Sequence, residues 1–112
     1  MKYLLQICVD APLDPFAPEL RTIPAETEGW VAEMDGRGVR LIGDRLRPPA
    51  DATTVRVRDG QTLVVDGPYA ETKEQMGGFD VIECADLDEA IEVAGKHPMA
   101  RVGMIEIRPF WT

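Results

Sequence analysis

Asp66-Gly67-Pro68-Tyr69-Ala70-Glu71-Thr72-Lys73-Glu74-Gln75-Met76-Gly77-Gly78-Phe79 follows one apolar, strand-like run and precedes another. Gly67 and Pro68 open the stretch, Gly77 and Gly78 close it, and a strip of charge lies between. Such punctuation at both ends marks a backbone that holds a defined shape, and shaped loops often carry function. It is read here as a loop joining two halves of one domain.

Upstream, Thr54-Val55-Arg56-Val57-Arg58 and Gln61-Thr62-Leu63-Val64-Val65 flank Asp59-Gly60. Asp-Gly between two alternating, β-rich runs predicts a two-residue type I′ hairpin, in which both turn residues take positive φ. Downstream, residues 78–84 read as a strand. Asp86-Leu87-Asp88-Glu89 reads as a capping box, with Asp86 receiving the amide three residues on and Glu89 reaching back. Leu87, Ile91 and Ala94 form the expected buried stripe of that helix, Lys96 and His97 sit in its last turn, and Pro98 ends it. Residues 102–108 are the last strand.

The first half also reads as strand, helix, strand. Residues 2–9 alternate with Tyr3, Leu5, Ile7 and Val9 on one face and Leu4, Gln6 and Cys8 on the other, which suits a central strand. Pro12, Pro15 and Pro18 make the following segment a loop, with Phe16 and Leu20 in need of a place to pack. Pro24 fits the first turn of a helix capped by Thr22, with Trp30, Val31 and Met34 at helical spacing and Gly36 and Gly38 at its end. Residues 39–46 give a second strand. The order β-α-β, hairpin, β-α-β predicts an α+β, ferredoxin-like antiparallel sheet with two helices on one face. Leu4, Cys8 and Met104 then face away from the helices. An apolar face without cover calls for a second sheet, and another copy of the chain supplies one, giving a face-to-face homodimer.

At 112 residues the chain is one domain, 1–112, and 45% hydrophobic with 29% charged residues is a globular composition. No apolar run approaches the ~20 residues of a membrane span. The apolar start is broken by Gln6 and lacks a small-x-small cleavage site, so it is read as the first strand of a cytoplasmic protein. A net charge of −8 argues against nucleic-acid and anionic-membrane partners. Arg40, Arg45, Arg47, Arg56 and Arg58 cluster in sequence, either as a local anion site or as a wet strand face. Cys8 and Cys84 are far apart, and with one histidine in the chain no metal-ligand spacing is present; no metal and no cofactor are expected.

From residue 39 to 109 the chain resembles a DGPF-type member of the YCII-related domain family. The resemblance is carried by Gly43-Asp44-Arg45-Leu46-Arg47-Pro48-Pro49, Thr54-Val55-Arg56-Val57-Arg58-Asp59-Gly60, Asp66 through Gln75, Gly77-Gly78-Phe79 and Glu106-Ile107-Arg108-Pro109. Tyr69 stands where the name-giving motif has Phe, which keeps the ring and adds a polar handle. The resemblance implies a ferredoxin-like fold and a dimeric α/β barrel. It further implies either a small-molecule enzyme or a regulatory module. Some relatives resemble a dehydrochlorinase of chlorinated hydroxyhydroquinone with a proposed His-Asp pair, and DGPF-type members are often encoded beside extracytoplasmic-function sigma factors. His97-Pro98 falls where that pattern holds its acid, so the match of the pair is partial.

His97 is the only imidazole and the only side chain whose unperturbed pKa lies near neutrality. It is nominated as a general base, with Asp66 as partner and Asp10 and Asp80 as alternatives. The competing role of His97 is a dipole-favoured residue at a helix end; that of Asp66 is an acceptor within its own turn. Tyr69, Lys73 and Arg45 are nominated to bind substrate, against the alternatives of a loop anchor and solvated charges. The two functional expectations are a lyase- or isomerase-like proton-transfer catalyst acting on a small molecule, and a non-catalytic ligand-sensing or regulatory module associated with a sigma factor.

Overall fold

A computed structural model describes residues 1–10, 17–69 and 74–111. Lys73, Phe16 and most of the proline-rich loop lie outside them. Strands β1 (Lys2–Asp10), β2 (Arg40–Arg45), β5 (Glu74–Glu83) and β6 (Met104–Pro109) form an antiparallel sheet in the order β2-β5-β1-β6, and β3 (Thr53–Arg58) pairs with β4 (Gln61–Asp66) as a separate ribbon. Helices α1 (Ile23–Gly36), α2 (Leu87–Gly95) and α3 (Met99–Val102) complete the chain.

The alternation of β1 decides which side is dry. Tyr3, Leu5 and Ile7 are buried, whereas Leu4, Gln6 and Cys8 are half-buried. Registry puts Leu5 opposite Asp80 and Ile107, and Tyr3 opposite Ile82, so these residues share the helix-covered face. Trp30, Met34, Ala90, Val93 and Ala94 pack on that face from α1 and α2. Leu5, Met34, Ile82 and Val93 are fully enclosed. Each such side chain contributes about 1.5–3 kcal/mol by leaving water. The Trp30 Nε1–H donates to the Val93 carbonyl at 2.9 Å, fixing the two long helices against one another.

Local signals place the turns. Asp59 and Gly60 take φ of 52° and 75°, the positive pair that a tight hairpin requires. The Asp86 carboxylate accepts the Glu89 amide at 2.9 Å, while Glu89 reaches past its expected target to the Ala85 amide, also at 2.9 Å. Thr22 holds the N-cap position of α1 without capping an amide; its hydroxyl donates to Glu26 at 2.8 Å.

Several expectations are corrected. Among the described residues there are three α-helices, because Pro98 opens α3 with φ −60° instead of only stopping α2; proline's fixed φ suits a helix start. The buried side of α2 is Ala90, Val93 and Ala94, and Leu87 and Ile91 are half exposed. Small side chains let α2 sit close to Trp30 and the sheet, and this closeness outweighs burial of the larger pair. The strand expected from residue 78 starts at Glu74, so the charged loop is shorter than predicted. Ile7 pairs with Gly78 but Cys8 with Met76, leaving Gly77 as the extra residue of a bulge. The last strand starts at Met104, since Met99–Val102 is helical.

One buried ion pair crosses the dry face. Asp80, 5% exposed, accepts Arg40 Nε at 2.8 Å, and Arg40 also donates to the Gly43 carbonyl at 2.9 Å. Burial raises the Asp80 pKa above its ordinary value, with Arg40 pulling it back. Gly43 is required beneath this pair: a Cβ there would run into the Asp80 carboxylate and come within 2.7 Å of the Phe79 carbonyl.

Candidate ligand-binding site

His97 closes the turn between α2 and α3. Its amide donates to the Ala94 carbonyl at 3.0 Å, and its Nδ1 accepts the Met99 amide at 3.0 Å. The ring meets Trp30 edge-on, with centroids 4.7 Å apart, and is only 4% exposed. Burial lowers its pKa to about 4, so at neutral pH it is an uncharged acceptor that pins the start of α3. Asp66 ends β4 opposite Thr53, exposed, on the ribbon. The bend after it is held by the Gly67 amide on the Ala52 carbonyl at 2.7 Å and the Thr54 hydroxyl on the Gly67 carbonyl at 2.8 Å. No hydrogen bond or ion pair joins His97 to Asp66; one is packed in the helix layer and the other stands on the ribbon.

Tyr69 lies just past that bend, 84% exposed. Arg45 ends β2 opposite Gly78 and so shares the helix-side face with Gly43, and its amide donates to the Asp44 carboxylate at 2.8 Å. Of the described residues nominated as catalytic or substrate-binding, only Tyr69 lines the cleft found on the sheet's other face, where Arg47 of the arginine cluster joins it. Lys73 lies outside the described residues, and the side chain of Asp10 is likewise not described.

That cleft has a volume of about 490 Å³, within the range that holds small organic ligands. Gln6 and Cys8 from β1, Gln75 and Met76 from β5 and Glu106 from β6 form its floor. Leu46, Arg47 and Pro49 make one wall; Thr53, Thr54, Pro68 and Tyr69 make the other. On the floor, Gln6 Nε2 donates to Glu106 Oε2 at 2.9 Å, and Arg108 donates to Glu106 Oε1 at 2.9 Å. The carboxylate is thus held in place by a neutral donor and a cation, and the Gln6 carbonyl oxygen remains as an acceptor. The Cys8 thiol is 3.8 Å from the Gln6 carbonyl of the backbone. Arg47 reaches Asp51 at 3.3 Å from the rim. The arrangement offers walls that mix Leu46, Pro49, Pro68 and Tyr69 with Thr53 and Thr54, a fixed polar floor and a cation at the mouth, which suits a planar molecule with one polar or acidic edge. Among the described residues there is no group of three histidine, cysteine or acidic side chains placed to hold a metal.

Gln6, Cys8 and Glu106 were not nominated from the sequence. The signal was present in part, because alternation already put Gln6 and Cys8 on the face away from the helices. What brings them to Glu106 is the β1–β6 register, in which Gln6 stands opposite Glu106.

The sequence matches the YCII-related domain over residues 2–112. The chain belongs to the YCII-related domain family. The chain is similar to the uncharacterized protein R00369 of Rhizobium meliloti (strain 1021), 49% identical over 100 residues, with 74% of this chain and 81% of that protein covered. The YCII-related match takes in every strand and helix of the described residues as well as every residue of the cleft. Among the described residues of this YCII-related chain, no helix is long and apolar enough to cross a membrane.

Proposed function

We propose that this protein binds a small, planar, partly anionic molecule in the cleft floored by Gln6, Cys8, Met76 and Glu106. The observation that carries the reading is the Gln6–Glu106–Arg108 chain of hydrogen bonds at the base of a ligand-sized recess of mixed polar and apolar lining. Binding sites commonly combine a few fixed polar groups with apolar surface. The Tyr69 ring at the rim supplies a stacking surface and Arg47 a cation for an acidic edge.

Proton transfer by His97 with Asp66 is a more demanding reading. It requires His97 to leave the Trp30 contact, surrender the Met99 amide and cross to the ribbon side of the sheet. Binding in the cleft requires none of these changes, and for that reason we favour a binding role. The finer architecture we infer is a ferredoxin-like sandwich of DGPF type, paired with a second copy across the open sheet face into an α/β barrel. The strand order β2-β5-β1-β6 supports it, as does the exposed apolar side of the sheet, where Ile42 and Met104 lie uncovered.

A thermal-shift series tests the ligand reading with benzoate, 4-hydroxybenzoate and catechol as probes. A ligand confined to the folded state stabilises by about 2.7 kcal/mol at a hundred times its Kd. At least one probe should raise the melting temperature by several degrees at saturation. Gln6→Met and Tyr69→Ala should each weaken that probe roughly tenfold, the loss expected for one buried hydrogen bond or one aromatic contact. Equal shifts in wild type and both variants would place the ligand elsewhere.

A further inference from the structure

The β3–β4 ribbon lacks a body of its own to lie on. A two-stranded hairpin is marginally stable in water, yet this one pairs from Thr53 opposite Asp66 to Arg58 opposite Gln61. Apart from Thr54, every residue in both strands is exposed. The register separates two unlike faces. Thr53 stands opposite Asp66, Val55 opposite Val64 and Val57 opposite Thr62 on one; Thr54 stands opposite Val65, Arg56 opposite Leu63 and Arg58 opposite Gln61 on the other. The three valines of the first face are 59–61% exposed. A ribbon wet on both sides has no use for a neutral, β-branched face toward its tip.

Whole-molecule dimensions agree. The radius of gyration is 15.8 Å, where a compact domain of this length is expected at about 13 Å. The accessible surface is 7852 Å², against about 6100 Å² expected for a folded monomer of this mass. The excess, roughly 1700 Å², exceeds the ~800 Å² that each partner contributes to a stable interface. The valine face is too small to supply that area alone, and the open sheet face adds the remainder.

The occupant that fits is a second copy of this chain. The ribbon needs cover from the moment it folds, and another copy is present wherever the chain is made. At a net charge of −8, two copies repel except where their surfaces are neutral or cationic. Beyond Asp66 at its root the valine face is neutral, and the arginines behind it form no ion pair among the described residues, leaving them to offset the partner's acidity.

We propose that the β3–β4 ribbon is an arm whose valine face packs on a second copy of the chain, and that this contact closes the cleft. Thr53 and Thr54 at the ribbon's root already form a wall of the cleft, so a partner seated on the ribbon covers its mouth. The inference rests on the ligand and pairing readings above; it adds the element that makes the contact and a coupling between assembly and binding. By linkage, a ligand that prefers the closed cleft tightens the pair by the same factor.

Sedimentation velocity over a concentration series tests it, with wild type, Val55→Lys/Val64→Lys, the milder Val55→Thr/Val64→Thr, and Arg56→Thr on the opposite face. Folding is checked by circular dichroism, and the threonine pair keeps the test valid if the lysine pair does not fold. Wild type should sediment at twice 12.4 kDa. The lysine pair should raise the dissociation constant on the order of 100-fold and the threonine pair roughly tenfold, as expected for charging or polarising a buried contact. Arg56→Thr should change it by less than about threefold, as a rim charge does. A dimer that both valine pairs leave unchanged overturns the arm while the pairing across the sheet face stands. A wild-type monomer overturns both, and the thermal shifts still judge the ligand reading separately.

Discussion

Replacing Asp80 with alanine should destabilise the fold by about 3 kcal/mol, a large share of the 5–15 kcal/mol that holds a domain of this size together. The carboxylate is buried and takes Arg40 Nε at 2.8 Å; without it, Arg40 keeps only the Gly43 carbonyl and a 3.5 Å contact to Asp35. Removing one partner of a buried pair leaves the other charge uncompensated and typically costs 3–5 kcal/mol. Arg40 retains 16% side-chain exposure and can shift toward Asp35, which puts the expectation at the low end of that range. Asp80→Asn preserves shape and one acceptor and should cost about half as much. The double variant Arg40→Met/Asp80→Ala should recover most of the loss, because the pair stabilises little beyond a well-packed apolar substitute. Urea denaturation of the four proteins at pH 7 checks this. An Asp80→Ala midpoint indistinguishable from wild type would mean that the pair is not closed in solution.

Acid should unfold this protein through His97 before most carboxylates contribute. The folded pKa of about 4 lies below the ordinary value of 6.5, so between those values the unfolded chain binds a proton that the folded chain refuses. Stability from this group is complete above pH 6.5 and falls as pH drops toward 4, after which the group adds no further loss. The ring is covered but lies beneath a thin layer of protein, so some solvent screening remains. Unscreened, the loss between pH 7 and pH 5 is about 1.8 kcal/mol, and with that allowance it is about 1 kcal/mol. His97→Asn retains an acceptor for the Met99 amide and cannot charge; its stability should be nearly flat over the same interval. The exposed pairs add their own losses further down: hydrogen bonds from Arg101, Lys96 and Arg37 hold Glu26, Glu33 and Glu92 below their usual pKa, so those contributions fade only as these carboxylates protonate. Equal pH slopes for wild type and His97→Asn above pH 5 would show that the ring is open to water.

The elements legible in the sequence were those specified by adjacent residues. Asp59-Gly60 sets the hairpin by its own backbone preference, β1 declares its two faces by alternation, and Asp86 caps α2 within one turn. The failures occurred where tertiary distance decides. Both Leu87-Ile91-Ala94 and Ala90-Val93-Ala94 keep helical spacing, and the choice between them depends on how closely Trp30 and the sheet approach. Pro98 carries a stop signal and a start signal at once, and α3 is settled by the His97 ring accepting the Met99 amide. The cleft was the least legible part. Gln6 and Glu106 are 100 positions apart, and only strand register makes them neighbours. His97 was nominated because imidazole titrates near neutrality, a property that burial in this fold removes.

The most direct test of a ligand site on the open sheet face is an amide chemical-shift map of the ¹⁵N-labelled protein titrated with 4-hydroxybenzoate. The shifts should be largest at Gln6, Cys8, Met76, Thr54, Tyr69 and Glu106, with the amides of Ala94, His97 and Met99 unmoved. Shifts centred on His97 and Trp30, with a silent cleft, would contradict the account and return the chemistry to the helix side of the sheet.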